Sequence, residues 1–403
     1  MWNKRRISQM IYMSFSLVAF AMMTYLFWAQ SIELNGKYAS DLYTHITRAL
    51  ASGGTGYSLE GKFVVFFDRL FNGSTIGFAA FLSFIVISTP FAVGLFLSEI
   101  DRLDKDIKVG SIRNHYVGLW SIFTAPLVIP YIWFWFYSNT MNINAWHNST
   151  SMEMRLFSVL AAALYLRIQS KVNSEGDIRL RDWLLLAVTL FISTWFKPSF
   201  FIGFAPVMAI WLLHDLLSHR TDIDYIKKLF FFGCAVLPAG CMVILQYWKL
   251  YGSRDDVKLS INGDEDHILY AIRVGLFLII PIIVYIHNRK KIGKDYRDGN
   301  RAYVQIWMIW VLEIVYHQLL TEVGRSGGNF GWGVRIGNYL VMIVSVRLFW
   351  QNALQAKQNK LNGMTLRKKD ILYLSTVGFL LIWEFGCGIY YFLHILVGGS
   401  YKI

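Results

Sequence analysis

The sequence predicts an all-α polytopic membrane protein, and three observations carry that prediction. Of 403 residues, 55% are hydrophobic and only 16% charged, well below the quarter that is charged in an average soluble domain. Mean hydropathy is +0.41. Apolar runs of about 20 residues, the length an α-helix needs to cross a hydrocarbon core roughly 30 Å thick, recur from end to end with short polar connections. The chain reads as one transmembrane domain, residues 1–403, with no room for a soluble domain between the runs.

The first run, Ser8 to Trp28, follows the basic "MWNKRR". It is longer than the apolar part of a signal peptide and no small-residue cleavage site follows it, so it is expected to stay as a helix that enters from the cytoplasm. Further spans are expected at Thr75 to Ser98, Tyr116 to Tyr137, Met152 to Leu166, Trp183 to Trp195, Phe200 to Leu217, Leu229 to Leu250, His267 to Ile286, Val304 to Leu320, Trp332 to Phe349 and Ile371 to Val397. That makes about 11 helices. The span ending at Trp195 is short enough to be half of a re-entrant hairpin with the next.

Basic residues orient the set. With the N-terminus inside, the cytoplasmic segments hold 26 of the 39 Lys and Arg and the outer segments 13, the bias expected of cytoplasmic loops. The C-terminus and the loops at 29–74 and 321–338 then face outward. The net charge of +13 is explained by basic loops against anionic lipid and calls for no nucleic acid. Cys234, Cys241 and Cys387 fall inside spans, so neither a disulfide nor a Cys/His metal site is expected.

Four polar clusters sort to the outer side. In "SDLYTHITRAL", Asp41, His45 and Arg48 share one helical face, while Leu42, Ile46 and Leu50 form an apolar stripe. With the amphipathic "YSLEGKFVVFFDRLFNG" behind it, the first outer loop is expected to be two interfacial helices. A surface ion pair between Asp41 and Arg48 is the plainer reading of the same spacing. In "NINAWHNSTSMEMR", Trp146, His147, Asn148 and Thr150 offer a stacking surface and hydrogen-bonding groups suited to a sugar ring, although a Trp there also serves as an interfacial anchor. In "STWFKPSFFIGF", Lys197 stands where one apolar run turns into another, either snorkelling to the interface or meeting a lipid phosphate. In "TEVGRSGGNFGWGVRIGN", Glu322, Arg325, Asn329 and Trp332 accompany glycines that permit close backbone approach or positive φ; this is either a phosphate-binding turn or a plain flexible loop. It matches neither common nucleotide-binding fingerprint.

A retained first helix followed by an outer loop with "SDLYTHI" and a second interfacial helix resembles the GT-C superfamily of integral membrane glycosyltransferases. The motifs "AWHNST", "FKPSF" and "GGNFGWG" are also similar to segments of bacterial membrane proteins linked to surface-polysaccharide assembly. The resemblance implies a GT-C-like fold, a polyprenyl-phosphate or polyprenyl-diphosphate sugar donor, a glycan or lipid-linked acceptor, and Asp41 as the acidic residue of the first outer loop. Many members carry paired acids there, whereas Asp41 is followed by Leu42, so no cofactor is expected and a divalent metal is not supported.

The chemistry can be argued separately. Moving a sugar from a lipid phosphate to a hydroxyl needs a base for the acceptor proton and positive charge at the departing phosphate. Asp41 and His45 are the expected catalytic residues, and Lys197 and Arg325 the phosphate ligands. Arg48, Trp146, His147, Asn148, Glu322, Asn329 and Trp332 are expected to bind substrate. Two alternatives remain at this stage: a transporter or flippase for such lipids, and an O-antigen-type polymerase of another fold with Arg325 and Arg335 central.

Overall fold

The computed structural model describes residues 4–32, 37–38, 40–104, 108–124, 141–144, 146–173, 178–218, 223–251, 258–261, 267–292, 299–323 and 330–399. Ten long helices dominate them: α1 (Lys4–Ile32), α4 (Ile76–Leu103), α6 (Ser149–Asn173), α7 (Leu180–Phe196), α8 (Ser199–Ser218), α9 (Ile223–Tyr251), α10 (His267–Ile292), α11 (Gly299–Leu319), α12 (Phe330–Leu361) and α13 (Lys368–Leu396). Three shorter ones, α2 (Leu42–Ala51), α3 (Leu59–Leu70) and α5 (Ser111–Ser121), complete the helical set.

Among the described residues, 7 helices are long and apolar enough to cross a membrane: those containing Gln9–Ile32, Ile76–Leu103, Ser199–Leu217, Ile223–Lys249, Ile268–Ile292, Phe330–Leu361 and Lys368–Leu396. The chain is a polytopic membrane protein. The expected spans in α6, α7 and α11 are helical but fall outside that set; α6 carries Glu153, Arg155, Arg167 and Lys171, and α7 has only 17 residues. The expected span from Tyr116 starts within α5, and 125–137 lies outside the described residues.

The helices are not the whole fold. β1 (Lys258–Ile261) and β2 (Leu320–Val323) pair antiparallel, with Leu259 opposite Glu322 and Ser260 opposite Thr321. An all-α expectation misses this ladder because each strand is only four residues long and gains its hydrogen bonds from a partner some 60 positions away, which no local periodicity reveals.

α12 is the central helix: its residues from Val334 to Leu348 are buried, packed against α8, α10, α11, α5 and α13. α1 is peripheral, and Met13, Leu17 and Val18 on it stay exposed, as lipid-facing side chains do. At the end of the bundle away from α2 and α3, Arg347 of α12 holds Asp101 at 2.7 Å and Asp104 at 3.0 Å, while Asp101 also accepts the Val109 and Gly110 amides. The opposite end holds the candidate site.

Candidate active site

The site is assembled from five places in the chain. α2 supplies the first. Leu42, Ile46 and Ala49 form its buried stripe; Leu50, expected in that stripe, is exposed because the helix presents position 49 inward. Asp41 precedes α2 but its carboxylate does not cap the helix. Instead its amide donates to the His147 carbonyl at 3.1 Å, and its Oδ2 accepts the Asn148 side-chain amide at 3.3 Å. No ion pair joins Asp41 to Arg48, which is exposed, so the idle surface pair is not what this spacing makes.

Asn148 is the hub. It precedes α6, and its Oδ1 accepts the Ser151 amide at 3.1 Å, which is an N-cap and explains an Asn at this position. The same oxygen accepts the Thr150 hydroxyl at 3.0 Å and the Lys197 ammonium at 3.4 Å. Lys197 also donates to Thr150 Oγ1 at 3.2 Å. One side chain thus links the carboxylate of Asp41 to the ammonium of Lys197.

Lys197 is placed by Pro198. The residue before a proline is pushed out of the helical region, and Lys197 is extended at φ −160°, ending α7 where α8 begins. Gln246 of α9 clamps that end of α7 by donating to the Thr194 and Trp195 carbonyls at 3.0 and 3.1 Å. Ser58, which caps α3, donates to the Phe196 carbonyl at 3.1 Å. The ammonium is buried and stands 4.1 Å from the ring centre of Trp332, in the first turn of α12. The Arg335 guanidinium lies 4.6 Å from the same ring, and its Nη1 donates to the Asn142 carbonyl. The His147 ring is 6.2 Å from Trp332. An indole facing two cations holds them by its π-face, a contact that strengthens when water is excluded.

His45 does not orient Asp41. Its Nδ1 is 2.7 Å from Glu60 Oε2 on α3, and the other Glu60 oxygen accepts the Ser149 hydroxyl. Burial would lower the His45 pKa, but the Glu60 charge and hydrogen bond prevail and raise it above the ordinary imidazole value. Burial would likewise raise Glu60, yet His45, the Ser149 hydroxyl and the Lys197 charge together hold it below the ordinary carboxylate value. The two directions agree on a buried ion pair, which clips α2 to α3 beside the start of α6.

Glu60 and Ser149 were not among the expected residues. The signal for Glu60 is in the sequence: Glu60, Val64 and Phe67 fall at i, i+4 and i+7, which puts an acid in the buried stripe of an amphipathic helix. Such an acid needs a buried partner. Phe63, on the same side, is 4.6 Å from the Phe81 ring and 6.0 Å from the Phe196 ring.

Of the expected residues, the structure brings together Asp41, His147, Asn148, Lys197 and Trp332, with His45 alongside. Trp146 is not with them: it is 2% exposed and packs 5.0 Å from Phe392 and 6.4 Å from Phe123, in an apolar cluster. Glu322 lies in β2 with only its backbone pairing described, and Arg325 and Asn329 lie outside the described residues. Among the described residues no group of three His, Cys, Asp or Glu is gathered to hold a metal ion. Comparison with family models, curated proteins and solved structures finds no match for this chain.

Chemically, the site offers a carboxylate able to accept a proton, a buried ammonium and guanidinium suited to a phosphate, and an aromatic face between them.

Proposed function

We propose that the protein is a GT-C-like membrane glycosyltransferase with about 11 crossings. It acts on the extracytoplasmic face of a bacterial cytoplasmic membrane, in cell-surface polysaccharide assembly. It moves a sugar or oligosaccharide from a polyprenyl-phosphate or polyprenyl-diphosphate donor to a hydroxyl of a glycan or lipid-linked acceptor. The observation that carries this reading is the Asp41–Asn148–Lys197 chain of hydrogen bonds, at 3.3 and 3.4 Å, which ties a base to a phosphate-binding cation through one side chain.

In this reading Asp41 takes the acceptor hydroxyl proton as that oxygen attacks the anomeric carbon. The bond from the anomeric carbon to the phosphate oxygen breaks, and the phosphate leaves with the electron pair, its charge met by Lys197 and Arg335. Direct displacement inverts the anomeric centre. Phosphate is a good leaving group and needs no acid, which fits a site where Glu60 is engaged by His45 and Ser149. His147, Asn148 and Trp332 border the sugar.

The test compares Asp41→Asn and Lys197→Met in cells, measuring polymer made and lipid-linked precursor accumulated. Both variants are expected to lose polymer and build up precursor that has already reached the outer face. Precursor held on the inner face would instead favour transport, and unchanged polymer in Asp41→Asn would remove Asp41 as the base.

A further inference from the structure

Lys197 and Trp332 stand at the ends of different helices, so the contact between them depends on how closely α8 and α12 approach. Both helices meet α11 at a single buried acid, Glu313, which is 1% exposed. A Cβ built on Gly203 of α8 would overlap the Glu313 carboxyl, and so would one built on Gly333 of α12. One α-helical turn on, a Cβ at Gly337 would lie 3.1 Å from the Trp310 backbone, and Trp310 Nε1 donates to Asn338 Oδ1 at 2.5 Å. Gly333 and Gly337 therefore form a small-residue seam on α12 that receives Glu313 and Trp310, three positions apart on α11.

A carboxyl is a costly group to place among helices, and here it lies against the Gly203 backbone, whose amide is within reach of it. What the acid does geometrically is fill the space left by two glycines. Gly333 is the residue after Trp332, and Gly203 lies on the first turns of α8, six residues after Lys197.

We propose that Glu313 is a positioning residue: wedged between Gly203 and Gly333, it sets the separation of α8 and α12 and so the contact of Lys197 with the Trp332 ring that holds the ammonium in place for the donor phosphate. The inference rests on the proposed donor class.

The test uses the full chain in phosphatidylcholine nanodiscs containing polyprenyl monophosphate, with two readouts. One is donor affinity. The other is the distance between nitroxides at Ile210 and Trp350, exposed positions of α8 and α12. Gly333→Ala is expected to lengthen the distance and weaken affinity about tenfold, about 1.4 kcal/mol. Adding Glu313→Ala to Gly333→Ala is expected to return both toward wild type, since the added methyl then has room. Glu313→Gln, which keeps the shape, is expected to rescue what Glu313→Ala alone loosens. A Gly333→Ala chain with unchanged distance, a double variant with no recovery, or Glu313→Gln behaving like Glu313→Ala would overturn the proposal. If the distances follow this pattern while wild type binds no polyprenyl phosphate, the donor class is wrong and the wedge stands.

Discussion

Asn148 gives the sharpest prediction because its bonds can be removed separately. Its Oδ1 caps α6 through the Ser151 amide, and its Nδ2 reaches Asp41. Asn148→Ser keeps a good capping residue but is too short to span from Asp41 to Lys197, whereas Asn148→Ala loses both roles. Losing the cap costs about 1 kcal/mol of stability. Losing a hydrogen bond to a charged group costs about 1.5–3 kcal/mol, which as a barrier is roughly ten- to a hundredfold in rate. Sugar transfer to acceptor and thermal unfolding, measured on the same purified preparation, separate the two. Asn148→Ser is expected to keep its melting temperature within a degree or two of wild type and lose about ten- to a hundredfold in transfer. Asn148→Ala is expected to lose the same activity and to unfold about a degree below Asn148→Ser, the shift that about 1 kcal/mol makes in a chain of 403 residues. Full transfer activity in Asn148→Ser would refute the idea that Asn148 couples Asp41 to Lys197.

Other consequences follow from neighbouring contacts. The His45–Glu60 pair makes stability depend on pH. The raised His45 contributes fully below its ordinary value of 6.5, and that contribution fades as pH rises through its folded value; the lowered Glu60 contributes above 4.5 and fades as pH falls through its own. Melting temperature should therefore drop on the alkaline side in wild type and flatten there in Glu60→Gln, and identical profiles would count against the pair. Arg347→Ala leaves Asp101 and Asp104 buried without their guanidinium and is expected to cost about 3–5 kcal/mol, read as loss of folded protein in detergent. Trp332→Phe should keep most donor affinity and Trp332→Ala little of it, because a smaller π-face still holds Lys197 and Arg335 and no face holds neither.

How much of this was legible in the sequence depends on the range of the interaction. The helices of the membrane-spanning set are local features, written in runs of apolar residues, and they stand where expected. Asp41, Asn148, Lys197 and Trp332 were legible as polar or aromatic residues in apolar surroundings. Their convergence was not, because it depends on Pro198 ending α7, on Gln246 clamping that end, and on α12 running through the centre. The surroundings of Trp146 were not legible for a related reason: an indole suits a sugar or an apolar cluster equally well, and its packing against Phe123 and Phe392 comes from distant parts of the chain. Glu60 escaped the expected set because an acid inside the apolar stripe of a helix declares itself only through its buried partners, here His45 and Ser149. Close backbone approach, one of the two uses expected of the glycines in this stretch, is what Gly333 serves as a cleft for α11, and Gly337 does the same one turn on.

The most direct measurement is transfer by the purified chain in liposomes, from a polyprenyl-phosphate sugar to an acceptor, with wild type beside Asp41→Asn. The expected result is that wild type transfers with inversion, while Asp41→Asn binds the donor and leaves it intact. Transfer by Asp41→Asn at the wild-type rate would contradict the account at its centre.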